Sequence, residues 1–249
     1  MLKISIITVC HNSAATIEAT INSVIEQSYK NIEYIIVDGK STDKTLEILG
    51  KYKNKISKVI SEKDDGIYFA INKGIALATG DVIAILHADD FYANKNVIEK
   101  VMTIFENQAT DTVYGDLQYV DKTTTQKVIR DWKSGEYKTG MFFKGWMPPH
   151  PAFFVKTECY KKYGLYTTIL KSAADYELML RLLHKQNCST TYIPEVLVKM
   201  RIGGKSNVSI KNRIIANRED KKAWLINGLT PAAFTFIRKP LSKIKQYFK

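Results

Sequence analysis

The sequence has few of the features that mark secreted, membrane-spanning or disulfide-stabilised proteins. Its three cysteines, Cys10, Cys159 and Cys188, are far apart and odd in number, so they form neither a disulfide framework nor a C-x-x-C metal site. No apolar run approaches the roughly 20 residues of a transmembrane helix. The run at residues 4–9 is too short for a secretory signal. We therefore expect a cytoplasmic protein with reduced thiols, either soluble or peripherally bound to a membrane.

Two widespread nucleotide-binding signatures are also missing. No G-x-G-x-x-G follows the first predicted strand, and G-x-x-x-x-G-K-[ST] occurs nowhere in the chain. Both signatures use glycines that let the backbone approach phosphates closely. Their absence argues against dinucleotide-dependent dehydrogenases and P-loop NTPases.

The composition is basic: the 249 residues carry a formal net charge of +12 at pH 7. This charge calls for an anionic partner, which can be a nucleic acid, an anionic lipid or a phosphorylated ligand. The basic residues cluster in the tail, whereas carboxylates follow the predicted strands. A track for a phosphate backbone needs the opposite arrangement, so we do not expect nucleic-acid binding.

Short apolar runs rich in β-branched residues alternate with segments of helical periodicity. This alternation predicts an α/β fold with a mostly parallel sheet flanked by helices. The expected organisation is one domain over residues 1–205, with a nucleotide half (1–120) and an acceptor half (121–205). A basic, helical C-terminal extension is expected over residues 206–249.

Polar residues follow four predicted strands, at the places where open α/β sheets bind their ligands. A single aspartate there is usually a helix cap or a turn residue, but carboxylates at three consecutive strand ends indicate a site. Asp89 and Asp90 can hold Mg²⁺ or Mn²⁺, hard cations that also bind phosphate oxygens. Asp38 can accept a hydrogen bond from the imide of a nucleotide base.

Three segments together resemble family 2 glycosyltransferases of the GT-A fold. They are ISIITVCHNSAATIEATINSVIEQSYKNIEYIIVDGKSTDKT at residues 4–45, DDGIYFAINKG at 64–74 and HADD at 87–90. The resemblance implies a nucleotide-sugar donor, with UDP favoured, a divalent metal, and inversion at the anomeric carbon. It also implies that the nucleotide-binding residues are Thr8, Val9, Asn12, Asp38, Asp65, Asn72 and Asp89.

One position departs from the family pattern. His87 stands at the first acidic position of the D-A-D-D motif, so the metal is expected to bind mainly at Asp89 and Asp90. Which of these two aspartates binds it directly stays open. His87 can itself be a metal ligand, a phosphate contact or a packed turn residue.

The acceptor side of an inverting transfer needs a base that takes the proton of the attacking hydroxyl. Residues 172–178, SAADYEL, resemble the acidic motif that the family places before its acceptor-side helix, and the matching residue is Asp175. Without the resemblance, Asp175 can equally be a carboxylate that stabilises a helix N-terminus. Glu177 is the second candidate, although two helical steps turn it elsewhere.

Three further residues are weaker candidates for contact with the acceptor or the diphosphate. Trp146 and His150 belong to the rigid loop WMPPHP, where aromatic faces suit sugar rings and the imidazole can donate to a hydroxyl or phosphate. Arg201 follows the last predicted strand and can close over the diphosphate. Loop packing and a solvated arginine are equally good interpretations.

The tail has an apolar stripe with cationic flanks. Ile237, Leu241, Ile244 and Phe248 recur at helical spacing among lysines and arginines. Such a helix can lie in a membrane interface. We expect residues 234–249 to dock on the cytoplasmic membrane face, near a lipid-diphosphate-linked glycan acceptor; packing on the protein's own core is the alternative.

These features predict a metal-dependent, inverting enzyme that transfers a sugar from a nucleotide-sugar donor, with a role in bacterial surface-polysaccharide synthesis. The alternative is a sugar nucleotidyltransferase, which also uses an α/β nucleotide fold, a metal and carboxylates. Such enzymes usually carry a glycine-rich basic loop after the first strand. Here residues 10–13 are Cys-His-Asn-Ser, which weighs against the alternative.

Overall fold

A computed structural model describes residues 1–203, 210–232 and 235–236 of the chain. Its helices are α1 (Ile17–Ile25), α2 (Thr45–Lys51), α3 (Ile67–Leu77), α4 (Val97–Asn107), α5 (Thr157–Tyr163), α6 (Ala174–Met179) and α7 (Ile210–Ile226). Its strands are β1 (Ile4–Cys10), β2 (Ile32–Asp38), β3 (Lys58–Ser61), β4 (Val82–Ile85), β5 (Asp90–Tyr92), β6 (Thr112–Val120), β7 (Val128–Trp132), β8 (Phe153–Lys156) and β9 (Thr190–Arg201). A π-helical segment continues α6 over Leu180–Lys185.

In the described part of the chain these strands form one sheet in the order β3-β2-β1-β4-β8-β6-β9-β5, with β7 paired to β6. Strands β1 to β4 are joined by parallel pairings. Strand β8 runs antiparallel to both β4 and β6 and so connects the two halves of the sheet. The predicted α/β fold is confirmed. The sheet is parallel through its first four strands and mixed beyond them, because β8, β5 and β7 reverse direction relative to their partners.

Strand β1 is buried on both faces and separates two hydrophobic clusters. Ile4 and Ile6 belong to the cluster that α1 and α4 cover, whereas Ile7 and Val9 belong to the cluster that α3 covers. Burial on both faces is typical of parallel strands between helical layers. Each isoleucine in β1 contributes about 1.5–3 kcal/mol through burial.

The parallel register brings the ends of the first strands to one edge of the sheet. Cys10 pairs with Asp38, and Asp38 pairs with Ser61. Strand β4 ends at Ile85, and residues 86–89 lead from there to β5. The loops that follow β1, β2, β3 and β4 are therefore neighbours, as the site prediction requires.

Helix α7 packs against the acceptor half. Ala223 and Trp224 are fully buried, and the Trp224 indole N–H donates to Tyr176 Oη of α6 at 2.8 Å. The domain boundary at residue 205 stays a prediction. The amphipathic pattern of residues 234–249 lies outside the described residues, apart from 235 and 236. Within the described ranges, no helix combines the length and the apolar character needed to cross a bilayer.

Gly74 allows α3 to approach β1 closely. A Cβ there would lie 2.4 Å from Ile7 Cγ2, whereas a Cβ at Gly50 in α2 would meet nothing within 4 Å. We expect Gly74→Ala to lower the free energy of unfolding by about 1–3 kcal/mol, because α3 must shift off the sheet. Gly50→Ala should raise it by about 0.5–1 kcal/mol, because alanine favours the helical backbone. Urea denaturation measures both changes, and equal midpoints for the two variants would contradict this packing.

Candidate active site

Asp38, at the end of β2, organises the loops at the edge of the sheet. Its buried carboxylate accepts hydrogen bonds from Ser41 N at 2.9 Å, Ser61 Oγ at 2.6 Å, Cys10 Sγ at 3.5 Å and the Ser41 hydroxyl. Burial would raise the pKa of Asp38, but these bonds hold it below its usual value, so the carboxylate is ionised. A carboxylate has about four lone-pair positions, and these donors take them. The geometry therefore does not support the predicted bond from a base imide; Asp38 shapes the loops instead.

Asn12 joins the loop after β1 to the loop after β2. Its backbone has a left-handed φ of 51°, its N–H donates to Ser41 Oγ at 2.8 Å, and its Oδ1 accepts from Thr42 N at 2.8 Å. Thr8 and Val9 are buried within β1. Their side chains belong to the core, so Asn12 is the exposed member of these three predicted residues.

The turn before α3 contains two adjacent aspartates in different environments. Asp65, the predicted nucleotide contact, is exposed. Asp64 Oδ1 accepts from Lys73 Nζ at 2.7 Å, and no described residue offers a partner to its buried Oδ2. An unpartnered buried oxygen is costly and gains most from a ligand donor. Asp64 is thus a stronger candidate than Asp65, although their adjacency in one motif gave the sequence no means of separating them.

Asn72 of α3 fixes the segment that precedes α6. Its Nδ2 donates to Tyr166 O at 2.8 Å, and its Oδ1 accepts from Tyr166 N at 3.0 Å. Both ends of the amide are therefore engaged with the backbone of one residue. The predicted nucleotide contact of Asn72 is not supported by this geometry, which gives Asn72 a role in holding the acceptor half.

The turn between β4 and β5, residues 86–89, is held by two distant side chains. Thr20 Oγ1 of α1 lies 2.8 Å from Asp90 O. Arg201, at the end of β9, donates from Nη1 to Asp89 O at 2.8 Å and is itself buried. Arg201 is therefore neither solvated nor free to close over a diphosphate, because its side chain positions this turn.

Asp89 and Asp90, the predicted metal ligands, differ in exposure. Asp89 is half-buried at the turn. Asp90 is only 1% exposed, and no described residue donates a hydrogen bond to its carboxylate. Burial raises the pKa of Asp90 well above its usual range, the charge of Asp89 adds to the shift, and Arg201 opposes it. Asp89 is the better placed of the two for direct contact with a ligand.

These carboxylates fit a metal that shares its coordination sphere with phosphate. Within the described residues, no group of three or more His, Cys, Asp or Glu side chains is arranged to hold a metal ion. Mg²⁺ commonly takes one or two carboxylates and completes its shell with water and substrate phosphates. The oxygens of Asp89, with the unpartnered carboxylate of Asp90 behind them, meet that requirement.

The environment of His87 includes three other predicted residues, His150, Asp89 and Asp175. Its ring lies edge-to-face with that of His150, with 5.5 Å between the ring centres. Burial lowers the pKa of His87, the nearby His150 lowers it further, and the charges of Asp175 and Asp89 oppose the shift. His87 is therefore neutral at neutral pH, and its ring connects the turn after β4, to which it belongs, with His150 of the acceptor half.

Asp175 is the half-exposed residue of α6, whose other five residues are buried. Its Oδ2 accepts a hydrogen bond from Tyr68 Oη at 3.0 Å. Glu177 is buried and forms a two-point ion pair with Arg181, with both N–O distances 2.9 Å. Asn227 of the segment after α7 also donates to Glu177 at 3.0 Å. Glu177 is thus a structural residue, while Asp175 faces the site.

Trp146 and Glu219 support the acceptor half from within. The Trp146 indole N–H donates to Ser134 O at 2.8 Å, and its ring stacks on Tyr137. Loop packing, the second interpretation of Trp146, therefore accounts for its position. Glu219 of α7 accepts from the backbone N–H groups of Lys171 and Ser172 at 2.9 and 2.7 Å. The sequence gave no signal for Glu219, because the contact joins segments 47 and 48 residues apart.

Comparison with known sequences matches the chain to a protein family. The family described as glycosyl transferase family 2 has a sequence model that matches residues 5–157. The chain is similar to the PGL/p-HBAD biosynthesis glycosyltransferase of Mycobacterium bovis, at 28% identity over 216 residues, which are 85% of this chain and 82% of that protein. It is also similar to an uncharacterised glycosyltransferase of Methanocaldococcus jannaschii, at 27% identity, covering 77% of this chain and 67% of that one.

Solved structures share the fold. S. aureus TarS 1–349 in complex with UDP-GlcNAc matches 93% of this chain and 69% of its own, with a TM-score of 0.70 and 19% identity. The mannosyltransferase PcManGT from Pyrobaculum calidifontis, in complex with GDP-Man and Mn²⁺, matches 95% and 68%, with a TM-score of 0.66 and 18% identity. At this level of identity the likeness establishes the fold, and the expected GT-A fold is confirmed.

The buried ion pair of Glu177 and Arg181 provides a test of the structural role of Glu177. We expect Glu177→Gln to lower the free energy of unfolding by about 3 kcal/mol, because the largely buried Arg181 loses its counter-charge. The matched control is Glu158→Gln, which removes an exposed ion pair with Lys161 and should change stability by less than about 0.5 kcal/mol. Chemical denaturation of both variants measures the two effects; a Glu177 variant as stable as the control would contradict this role.

Proposed function

The chain belongs to glycosyl transferase family 2, and we propose from this premise that it transfers a sugar from a UDP-sugar to an acceptor hydroxyl, with inversion at the anomeric carbon. One observation carries the proposal: the His87 ring lies 5.5 Å from the ring of His150, centre to centre, and the charges of both Asp89 and Asp175 act on it. A donor-side carboxylate and an acceptor-side carboxylate are thus both within electrostatic range of one imidazole, as a direct displacement requires. The sugar nucleotidyltransferase is not favoured, because the loop after β1 reads Cys-His-Asn-Ser at residues 10–13 and lacks the glycines and basic residues that manage a triphosphate.

On the donor side we propose Asp89 as the residue that holds Mn²⁺ or Mg²⁺. When bound there, the cation supplies positive charge that stabilises the departing diphosphate. Asn12 and Asp64 lie on the loops after β1 and β3 and offer polar atoms to the nucleotide. The nucleotide sugars named with the two similar structures, UDP-GlcNAc and GDP-Man, support a donor of this class.

On the acceptor side we propose Asp175 as the catalytic base. Its half-exposed carboxylate takes the proton of the acceptor hydroxyl while the new bond to the anomeric carbon forms. Attack from the side opposite the diphosphate inverts that carbon. The imidazoles of His87 and His150 lie beside this route and can donate to an acceptor oxygen.

For the acceptor we propose a lipid-diphosphate-linked glycan in surface-polysaccharide synthesis. The support comes from the sequence, where residues 237–249 combine aliphatic side chains with lysines and arginine. Juxtamembrane cations contribute about 1 kcal/mol each near anionic lipid. We therefore propose that this tail docks the enzyme on the cytoplasmic face of the membrane.

A donor panel tests the reaction. We expect slow release of UDP from one UDP-sugar in the presence of Mn²⁺ or Mg²⁺, and its loss on addition of EDTA. Asp175→Asn should reduce turnover by about 10²–10⁴-fold, the contribution of a positioned base, while calorimetry finds unchanged binding of UDP with Mn²⁺. Full activity in this variant would remove Asp175 as the base, and pyrophosphate release from a nucleoside triphosphate would favour the nucleotidyltransferase.

Deletion of residues 237–249 tests the membrane proposal. The deletion leaves Thr235, whose hydroxyl donates to Phe143 O at 2.9 Å. We expect the full chain to float with vesicles containing anionic lipid and the shortened chain to stay in solution, because it has lost the cationic tail. Donor hydrolysis in solution is the control for folding. Equal flotation of both chains would show that the tail is not the anchor.

A further inference from the structure

Tyr68 links the donor-side helix α3 to the acceptor-side helix α6. Its hydroxyl donates to Asp175 Oδ2 at 3.0 Å, across 107 residues of sequence. Tyr68 is only 5% exposed, so the donor side of this bond is shielded from solvent. Burial raises the pKa of Tyr68 above its ordinary value, and the charge of Asp175 raises it further. Tyr68 therefore stays protonated and is the donor of this hydrogen bond.

The ring of Tyr68 is held in place by neighbours. It stacks on Tyr166, with 5.9 Å between ring centres and an angle of 13° between the planes. Asn72, one helical turn after Tyr68, fixes the Tyr166 backbone through two hydrogen bonds. Tyr166 has its own hydroxyl contact with Tyr160. The direction of the Tyr68 hydroxyl is thus set by packing, which is what a group that orients a carboxylate requires.

We propose that Tyr68 is a positioning residue for the transfer reaction: its hydroxyl holds Oδ2 of Asp175 and leaves Oδ1 directed at the acceptor hydroxyl. The inference rests on the proposed role of Asp175 as the base. Tyr68 touches neither donor nor acceptor in this mechanism and acts through Asp175. Since Tyr68 follows directly on the turn that carries Asp64, it also ties the base to the donor side of the site.

The hydrogen bond from Tyr68 to Asp175 is one of several interactions between Asp175 and nearby titratable groups. The titratable groups that act on it are Tyr68 from α3, His87 from the turn after β4, Tyr160 from α5 and Tyr166 from the segment before α6. The three tyrosines are neutral, because burial raises the pKa of each. Tyr68 differs from the other two tyrosines because its hydroxyl donates directly to the Asp175 carboxylate.

Tyr68→Phe tests the proposal, because it keeps the ring and its stacking and removes only the hydroxyl. With the donor that the panel selects, we expect kcat for donor hydrolysis at neutral pH to fall about 10- to 100-fold, the scale of a misoriented reacting group. KM for the donor should change less than about twofold.

Tyr166→Phe is the matched control. It removes a buried hydroxyl from the partner ring of the same stack, but that hydroxyl bonds to Tyr160 and not to Asp175. We expect kcat of this variant to match that of the unmodified protein. A merely structural role for Tyr68 predicts that the two variants lose stability and activity to the same extent.

The outcomes separate this inference from the function it rests on. If Asp175→Asn keeps full activity, the proposed base is wrong, and the role of Tyr68 falls with it. If Asp175→Asn is inactive while Tyr68→Phe keeps the kcat of the unmodified protein, only the positioning role is wrong. An equal fall of kcat in both tyrosine variants would also overturn it, since the effect would then not depend on the bond to Asp175.

Discussion

Parallel pairing of β1 with both β2 and β4 determines where the polar side chains of the site can lie. The pairing aligns Cys10 with Asp38 and directs the turn after β4 toward the same edge. It exists because β1 is apolar on both faces and can be buried only between two helical layers. Strand β8 joins the mixed half of the sheet to β4. This connection brings the acceptor-side residues to the edge at which the parallel strands end.

Buried carboxyl groups in this protein fall into two groups with different roles. Asp38, Glu177 and Glu219 accept several hydrogen bonds each and hold loops or helices in place. Asp64 and Asp90 have buried oxygens to which no described residue donates. Burial without a partner costs free energy that the fold must supply. The two unpartnered carboxylates both lie near the proposed donor side, where a cation or a ligand donor would relieve that cost.

Sequence patterns predicted the sheet and the edge that carries the site, since β-branched runs and the residues that follow them are local features. Asp89 and His87 were predicted from the end of a strand, Asp175 from a motif that resembles the family's, and His150 from its rigid loop; these four assignments stay predictions. The roles of individual residues depended on contacts between segments that are distant in the sequence, and residue spacing does not reveal such contacts. Asp38 and Asn72 sit in the expected motifs, yet their polar atoms are used by other segments of the protein. Arg201 was expected to close over the diphosphate, and its guanidinium instead donates to the carbonyl of Asp89, 112 residues away in the sequence.

The double hydrogen bond of Asn72 has a consequence for how such a chain can diverge. The family match ends at residue 157, while Asn72 and Tyr68 lie inside the matched region and bond to Tyr166 and Asp175 beyond it. A segment exchanged between related enzymes at residue 157 would have to bring a Tyr166 backbone and an Asp175 carboxylate that fit α3. The two sides of residue 157 are therefore coupled through α3, and one cannot be replaced without the other while these contacts are kept.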